Sequence, residues 1–368
     1  MNTDTFAADV VRWQRQHGRN HLPWQNTQEP YRVWLSEVML QQTQVITVLD
    51  YYIRFLARFP TVTDLAAAPL DEVLGLWSGL GYYSRARNLH RCAQDVVQLH
   101  GGQFPQTAEL LQTLPGIGPS TAAAIAAFCF AERVAIFDGN VKRVLARVTA
   151  FSGDLAFSAQ ARELQAMATA LLPQRRLETT MPRYTQGMMD LGATVCLARK
   201  PLCSNCPVAR HCLAYAKGNT DNYPVKTRKL KRTAQSLWLL MASQPNGDVW
   251  LQRRPDKGIW AGLYCLPAFD NARALDDALN PTQQTHAQHL PPFVHVLTHK
   301  DLHLHAVSLA MTPSQSPGTA GQWVAANQWP TLGLPAPVRQ LLTKQGITQL
   351  ETAQAASDLI ANQCRTLS

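Results

Sequence analysis

The sequence predicts a multidomain protein, an all-α region followed by a smaller α+β region. Three observations carry this. The chain has 368 residues, and at about 150 residues per domain that is room for two. Through residue 216, apolar residues recur at helical spacing between turns marked by glycine and proline. After a basic connector the pattern shifts to short alternating runs around a hairpin signal. Hydrophobic residues make up 46% of the chain and charged residues 16%. That supplies material for packed cores and excludes a wholly disordered chain.

Each element has its own justification. Tyr31 to Phe59 carries a helical period and reads as one long helix, with Pro30 as a first-turn proline. Further helical runs are Leu70–Leu76, Arg85–Leu99, Thr107–Leu111, Ser120–Phe130, Val141–Val148, Ser158–Leu172 and Tyr184–Leu191. Residues 217–232, KGNTDNYPVKTRKLKR, have no apolar period and read as a connector. Ser236–Ala242 and Asp248–Arg253 then flank Pro245-Asn246-Gly247, where Asn-Gly is expected to supply positive φ in a hairpin. Phe293–His299 and Leu302–Leu309 read as strands and Pro335–Lys344 as a helix. The boundaries expected are 1–216, 217–232 and 233–348, with a mobile polar tail at 349–368.

Thirty-four Lys and Arg against 25 Asp and Glu give a net charge of +9. The excess sits on residues 1–216 and the connector, while residues 233–368 are neutral. This suggests a polyanionic partner. The N-terminus lacks a basic segment followed by an apolar run, and the uncharged Leu110–Ala131 stretch is broken by Pro115, Gly116, Gly118 and Pro119. No secretory signal or membrane span is expected, and the reading is a cytoplasmic protein.

Four of the eight cysteines, Cys196, Cys203, Cys206 and Cys212, form C-x6-C-x2-C-x5-C. Thiolates hold soft metals, and clustering within one loop fits a reducing compartment. The asymmetric spacing suits a [4Fe-4S] cubane, whose corners are wider apart than one zinc ion's ligands, with zinc and free thiols as the alternatives. Cys129 follows an apolar run and reads as core.

Leu114 to Thr121 (LPGIGPST) joins two helical runs. Gly116 and Gly118 permit tight backbone geometry, and the free N–H groups at a helix N-terminus can hold a phosphate. Two carboxylates stand out. Glu37 has Val33, Trp34 and Leu40 as helical neighbours, so its pKa should rise. Asp138 precedes a helix with Lys142 and Arg143 close by, which favours its ionised form. One acid and one carboxylate suit glycosidic-bond cleavage. The competing reading makes Glu37 a surface residue and Asp138 a helix cap.

Together LSEVMLQQTQV (35–45), LWSGLGYYSRARNLH (76–90), LPGIGPSTAAAI (114–125), FDGNVKRVLAR (137–147), MMDLGA (188–193) and the four-cysteine loop resemble the helix-hairpin-helix DNA glycosylase superfamily. WLSEVMLQQTQV and DGNVKRVLAR most resemble its MutY adenine glycosylase family, and RRPDKGIWAGLYCLP (253–267) resembles that family's Nudix-like C-terminal domain. The resemblance spans most of residues 8–345. It implies a monomeric enzyme with one [4Fe-4S] cluster, acting on duplex DNA in which adenine is mispaired with 8-oxoguanine or guanine.

The resemblance also implies roles. Glu37 would protonate adenine N7, Asp138 would stabilise the sugar cation, and Asn140 would position the water or Asp138. Ser120 stands where the related endonuclease III has a catalytic lysine; it cannot form a Schiff base, so an abasic site would be left intact. Trp24, Leu40 and Gln186 would line the adenine pocket. Gln42, Thr43 and Tyr82 would engage the opened duplex, alongside the Gly116 and Gly118 backbone. Leu297-Thr298-His299 aligns with a Phe-Ser-His lesion-reading loop but lacks its aromatic ring. Nudix hydrolysis is set aside, because no Glu lies between Thr179 and Leu350. The alternatives are an endonuclease III-like pyrimidine glycosylase/lyase and a catalytically silent iron–sulfur DNA binder.

Overall fold

The computed structural model describes residues 3–227 and 231–344. The tail at 349–368, residues 228–230 of the connector and Cys364 lie outside the described residues. The described residues of Met1–Ala67 and Arg87–Lys229 form one compact unit, and those of Ala68–Ala86 and Leu230–Ser368 form a second.

The first unit is helical. Its centre is the helix Pro30–Leu40, capped by Glu29, whose carboxylate accepts from the Tyr31 and Arg32 backbone N–H groups at 3.0 and 2.9 Å. Tyr31, Val33, Trp34, Leu35, Ser36, Val38 and Met39 are all buried, so this helix is covered nearly all round. It packs against Pro119–Phe130, where residues 121–127 are buried and five of them are alanine. Small side chains let the two backbones approach closely. Helix Leu177–Thr194 packs on Pro119–Phe130, on Gly139–Val148 and on the N-terminal helix Thr3–His17. That last helix carries no strong sequence signal; its Phe6 and Val10 are fully buried.

The single helix expected over Tyr31–Phe59 is two, Pro30–Leu40 and Val45–Arg58. The apolar period runs through the break, but Gln42 adopts φ +56° and the helix stops at Leu40. Local hydrogen bonding favours the turn: the Gln41 side chain donates to Thr121 Oγ1 at 3.3 Å, and Thr43 Oγ1 donates to the Gln41 carbonyl at 3.3 Å.

The second unit is built on a sheet. Strand Thr233–Ser243 runs parallel to Lys300–Ala310 along its whole length, from Thr233 opposite Lys300 to Ser243 opposite Ala310. Val249–Arg253 flanks the first strand and Phe293–Val296 the second, both antiparallel. Leu302 and Leu304 pack on one face with Leu334, Val338 and Leu342. Val307 and Leu309 pack on the other with Leu240, Leu275 and Leu279. Both faces are covered at that end, so simple alternation stops after Ala306. At the hairpin only Gly247 takes positive φ, +86°; Asn246 instead accepts from the Asp248 backbone N–H at 3.2 Å.

Residues 68–86, expected within the helical domain, group with the sheet. Ser78 Oγ and Tyr83 Oη both donate to the Leu334 carbonyl, at 3.2 and 2.6 Å, and Arg339 Nε donates to Ser78 Oγ at 3.0 Å. Helix Leu70–Leu76 lies so close to the Trp329–Thr331 turn that a Cβ on Gly75 would stand 1.9 Å from the Thr331 carbonyl oxygen. Gly75→Ala therefore reverses the usual sign. Alanine favours a helix over glycine by about 1 kcal/mol, but overpacking against rigid backbone costs roughly 1–3 kcal/mol or more. A net loss of stability is expected in chemical denaturation, and a rise would show that the turn yields freely.

Candidate active site

Glu37 lies in the middle of Pro30–Leu40 and lines a cavity with Trp24, Gln25, Val33, Ser36, Phe128 and Gln186, among others. The space amounts to about 420 Å³, open to solvent at its mouth. Glu37 is half-buried, surrounded by protein on most sides and bordering this space. Burial raises its carboxyl from its ordinary 4.5 to about 7, and the charge of Asp138 adds to the rise. No hydrogen bond to Glu37 occurs among the described residues, so nothing offsets the desolvation.

Asp138 caps the helix Gly139–Val148, its Oδ1 accepting from the Val141 N–H at 2.7 Å. The cap expected from sequence is present. The expected direction of its pKa is not: burial raises the carboxyl, outweighing the backbone N–H groups of Val141 and Asn140 and the charges of Arg143 and Lys142. Sequence shows the neighbouring cations but not the depth. Asp138 is near enough to Glu37 to act on its charge, yet it does not line the same cavity, and neither does Leu40.

Gln186 is buried, and its amide nitrogen donates to Asp190 Oδ1 at 2.9 Å. Asp190 is fully buried and also accepts from Arg19 Nε at 2.7 Å and from the Arg19 backbone N–H at 3.1 Å. One N–H of Gln186 is thus committed, which leaves its other N–H and its carbonyl. Trp24 is buried edge-on against Tyr52, ring centroids 5.3 Å apart. Asp190 and Arg19 were not singled out from sequence; a charged residue on an otherwise apolar helical face, MMDLGA, was the available signal. The glycine of that motif has a steric reason. A Cβ on Gly192 would come within 2.6 Å of Asn140 Cβ, so the two helices meet there.

Asn140 accepts from Arg143 Nη2 at 2.9 Å, and Arg143 donates to the carbonyls of Gly192 and Cys196 at 2.6 and 2.8 Å. Arg147, two per cent exposed, donates to the carbonyls of Leu197 (2.6 Å), Ala198 (3.2 Å), Thr220 (3.0 Å) and Tyr223 (3.2 Å). Its Nη1 also reaches Cys196 Sγ at 3.4 Å. One side chain thereby gathers the cysteine loop and the following turn.

Cys196, Cys203, Cys206 and Cys212 all line one cavity, whose other walls include Val144, Val148, Leu191, Val195 and Val208. Among the described residues no three His, Cys, Asp or Glu side chains stand close enough to hold one metal ion. The four sulfurs surround a volume rather than a point. Burial pushes the Cys206 thiol up to about 12 and raises Cys203 and Cys212. Soft donors around an apolar space fit a cluster larger than a single ion. Cys129 is half-buried rather than core.

Gln42 and Tyr82 are both exposed and both left-handed, at φ +56° and +48°. Non-glycine residues rarely adopt this region, and here Ala131, Ala150, Arg176, Lys200 and Trp260 do so as well. Thr43 is half-buried beside Gln42. In the hairpin, Gly116 needs its glycine, with φ +77° and Asn88 Cβ 2.6 Å from a would-be Cβ. Gly118 does not: its φ is −84° and nothing lies within 4 Å, so its backbone is open to approach. Ser120 sits half-buried in the first turn of Pro119–Phe130. In the second unit Thr298 and His299 are exposed at a tight turn, while Leu297 packs against the core. Thr298 Oγ1 shares a short hydrogen bond with Tyr82 Oη, and Arg232 donates to the Thr298 carbonyl at 3.0 Å.

No helix among the described residues is long and apolar enough to cross a membrane. Residues 35–173 match the family described as HhH-GPD superfamily base excision DNA repair protein, and residues 238–344 match the NUDIX domain family. The chain is 33% identical over 353 residues to the adenine DNA glycosylase of Buchnera aphidicola subsp. Baizongia pistaciae, covering 94% of this chain and 97% of that one. It is 33% identical over 403 residues to the human adenine DNA glycosylase, covering 91% of this chain and 73% of that one. A solved thermostable thymine-DNA glycosylase superposes with a TM-score of 0.51 at 26% identity, over 58% of this chain and 97% of that one.

Glu37 makes a direct test of the electrostatics possible. The folded protein holds its proton more tightly than the unfolded chain, so its contribution favours folding below pH 4.5 and is lost as pH rises through about 7. Glu37→Gln should leave the urea midpoint little changed at pH 4.5 and raise stability at pH 8, by up to about 3 kcal/mol. A midpoint difference that does not vary with pH would mean the carboxyl is solvated.

Proposed function

The chain belongs to the adenine DNA glycosylase family, and from that premise we propose a monofunctional reaction on adenine mispaired with 8-oxoguanine or guanine in duplex DNA. It is a DNA N-glycosylase, a hydrolase of base excision repair. The observation that carries the site assignment is the carboxyl of Glu37, raised to about 7 in a cavity that Trp24 and Gln186 also line.

A base inside the duplex stack cannot reach such a cavity, so the adenine is extruded at a cost of a few kcal/mol. Glu37, protonated near neutrality, donates to N7. The C1′–N9 bond then breaks, its electron pair leaves with the neutral base, and positive charge develops on the sugar. Asp138 stabilises that charge as a carboxylate, an ionisation favoured by its two backbone donors and by Lys142 and Arg143. Water adds at C1′ and its proton passes to Asp138, with Asn140, fixed by Arg143, positioning these groups. Ser120 lacks an amine, so no Schiff base forms and the strand stays intact.

Gln42 and Tyr82, held in left-handed backbone, are assigned to press into the opened duplex, with Thr43 beside the first. The open backbone at Gly116–Gly118, at a helix N-terminus, suits a phosphate. Leu40 is assigned to the approach to the adenine pocket, since it does not line the cavity. Thr298 and His299 read the opposite base, with Leu297 anchoring their turn in the core. Cys196, Cys203, Cys206 and Cys212 would hold a [4Fe-4S] cluster, which when bound crosslinks a loop that has little core of its own.

The deciding experiment is a gel assay on duplexes with adenine opposite 8-oxoguanine, guanine, cytosine or thymine, with and without alkali. Strand breaks that appear only after alkali, on the first two substrates, are expected; breaks without alkali would favour a lyase. Glu37→Gln and Asp138→Asn should each abolish base release while keeping mispair affinity within about tenfold. Retained single-turnover excision in either variant overturns the assignment.

Thr298→Ala combined with His299→Ala should lower the preference for 8-oxoguanine over guanine opposite the adenine. An unaltered ratio would place lesion reading elsewhere.

A further inference from the structure

The turn that carries Tyr82 joins helix Leu70–Leu76 to helix Ser84–His100. Three of its residues take positive φ: Gly79 at +107°, Gly81 at +73° and Tyr82 at +48°. The glycines adopt this region without strain, whereas a tyrosine stays there only if its surroundings hold it. Arg85, in the first turn of the following helix, supplies such contacts. Its Nη2 donates to the Leu80 and Gly81 carbonyls, both at 3.2 Å, and its backbone N–H donates to the Tyr82 carbonyl at 2.8 Å. Three consecutive carbonyls of the turn thus accept from one residue. Trp77 Nε1 donates to the same Gly81 carbonyl at 3.1 Å.

The Arg85 guanidinium also lies over two aromatic rings, 5.2 Å from the centre of Trp77 and 5.5 Å from the centre of Tyr82. Trp77 is fully buried and Arg85 is 8% exposed, while Tyr82 is 43% exposed. The cation therefore ties an exposed ring to the core. Such contacts are strongest where the cation is desolvated. Burial lowers Arg85 only to about 10, so it keeps its charge at neutral pH. Burying a cation and holding a tyrosine left-handed are both costly. Both costs fall on one turn, and its exposed aromatic part is the Tyr82 ring.

We propose that Arg85 is the positioning residue for Tyr82, fixing the ring's direction before the duplex arrives. This rests on the assignment of Tyr82 to the opened duplex given above. Arg85 acts through the turn and the ring and makes no contact with the reacting atoms. Without it the turn relaxes, and part of the binding energy goes into ordering it again.

A double-mutant cycle tests this, using single-turnover excision of adenine opposite 8-oxoguanine at sub-saturating enzyme. The proteins are wild type, Arg85→Met, Tyr82→Ala and the double variant, with thermal unfolding followed in parallel. Arg85→Met removes the cation and its donors while keeping an unbranched side chain. It should slow excision about tenfold when Tyr82 is present and less than twofold in the Tyr82→Ala background, where no ring is left to aim. Arg85→Lys keeps the charge but loses the planar fork. It should slow excision less, and again only when Tyr82 is present, and it decides the question if Arg85→Met does not fold. Equal slowing in both backgrounds, or none in either, overturns this inference alone and leaves Arg85 as a structural residue. Unchanged excision by Tyr82→Ala overturns the assignment of Tyr82 and this inference together.

Discussion

The proposed chemistry depends on surrounding one carboxyl largely with protein without giving it a protein hydrogen-bond partner. Glu37 sits on a helix buried on almost every side, between the alanine-rich helix Pro119–Phe130 and the cavity. Its charge is disfavoured there, and the carboxyl holds its proton up to about pH 7. Asp138 is buried too, yet it receives two backbone N–H groups and faces two cations. Two carboxyls within mutual electrostatic reach thus differ by their hydrogen bonds more than by their depth. Like charges that interact this way titrate as a pair, so ionising one holds the proton on the other.

Around that pair, arginine guanidinium groups do the work that apolar packing does elsewhere. Between its first and last cysteines the loop has only Leu197, Leu202 and Val208 as large apolar residues. From a nearly fully buried position Arg147 donates to two carbonyls of the loop, Leu197 and Ala198, and to two of the following turn, Thr220 and Tyr223, and Arg143 links the same loop to Asn140. Removing either head group would leave several carbonyls unpaired at once. Arg19 and Asp190 serve Gln186 similarly: a buried ion pair has little net stabilising value, but it orients the amide that shares the carboxylate.

In the second unit the segment 68–86 is bound by polar contacts to Leu334 and Arg339 and by close approach at Gly75. Tyr82 therefore belongs with the turn at Thr298, and the two hydroxyls meet. A tyrosine in left-handed backbone is costly to hold, and that hydrogen bond is one of the contacts that hold it. At that turn Leu297 packs against the core, while Thr298 and His299 are exposed.

Much was legible from residue order because it is local. Helical spacing located most helices, Pro30 and Asp138 marked their starts, and the cysteine spacing picked out four thiols that line one cavity. The apolar neighbours of Glu37 announced its raised pKa. Tertiary structure decided the rest, through groups far apart in sequence. The break after Leu40 is held through Gln41 by Thr121, 80 residues away. The direction of the Asp138 shift follows from depth, which no neighbouring residue reports. Gln25 reads as an ordinary turn residue, yet both its amide atoms are enclosed by protein. Period and capping are properties of a few consecutive residues, whereas desolvation and hydrogen-bond satisfaction depend on everything that closes around a group.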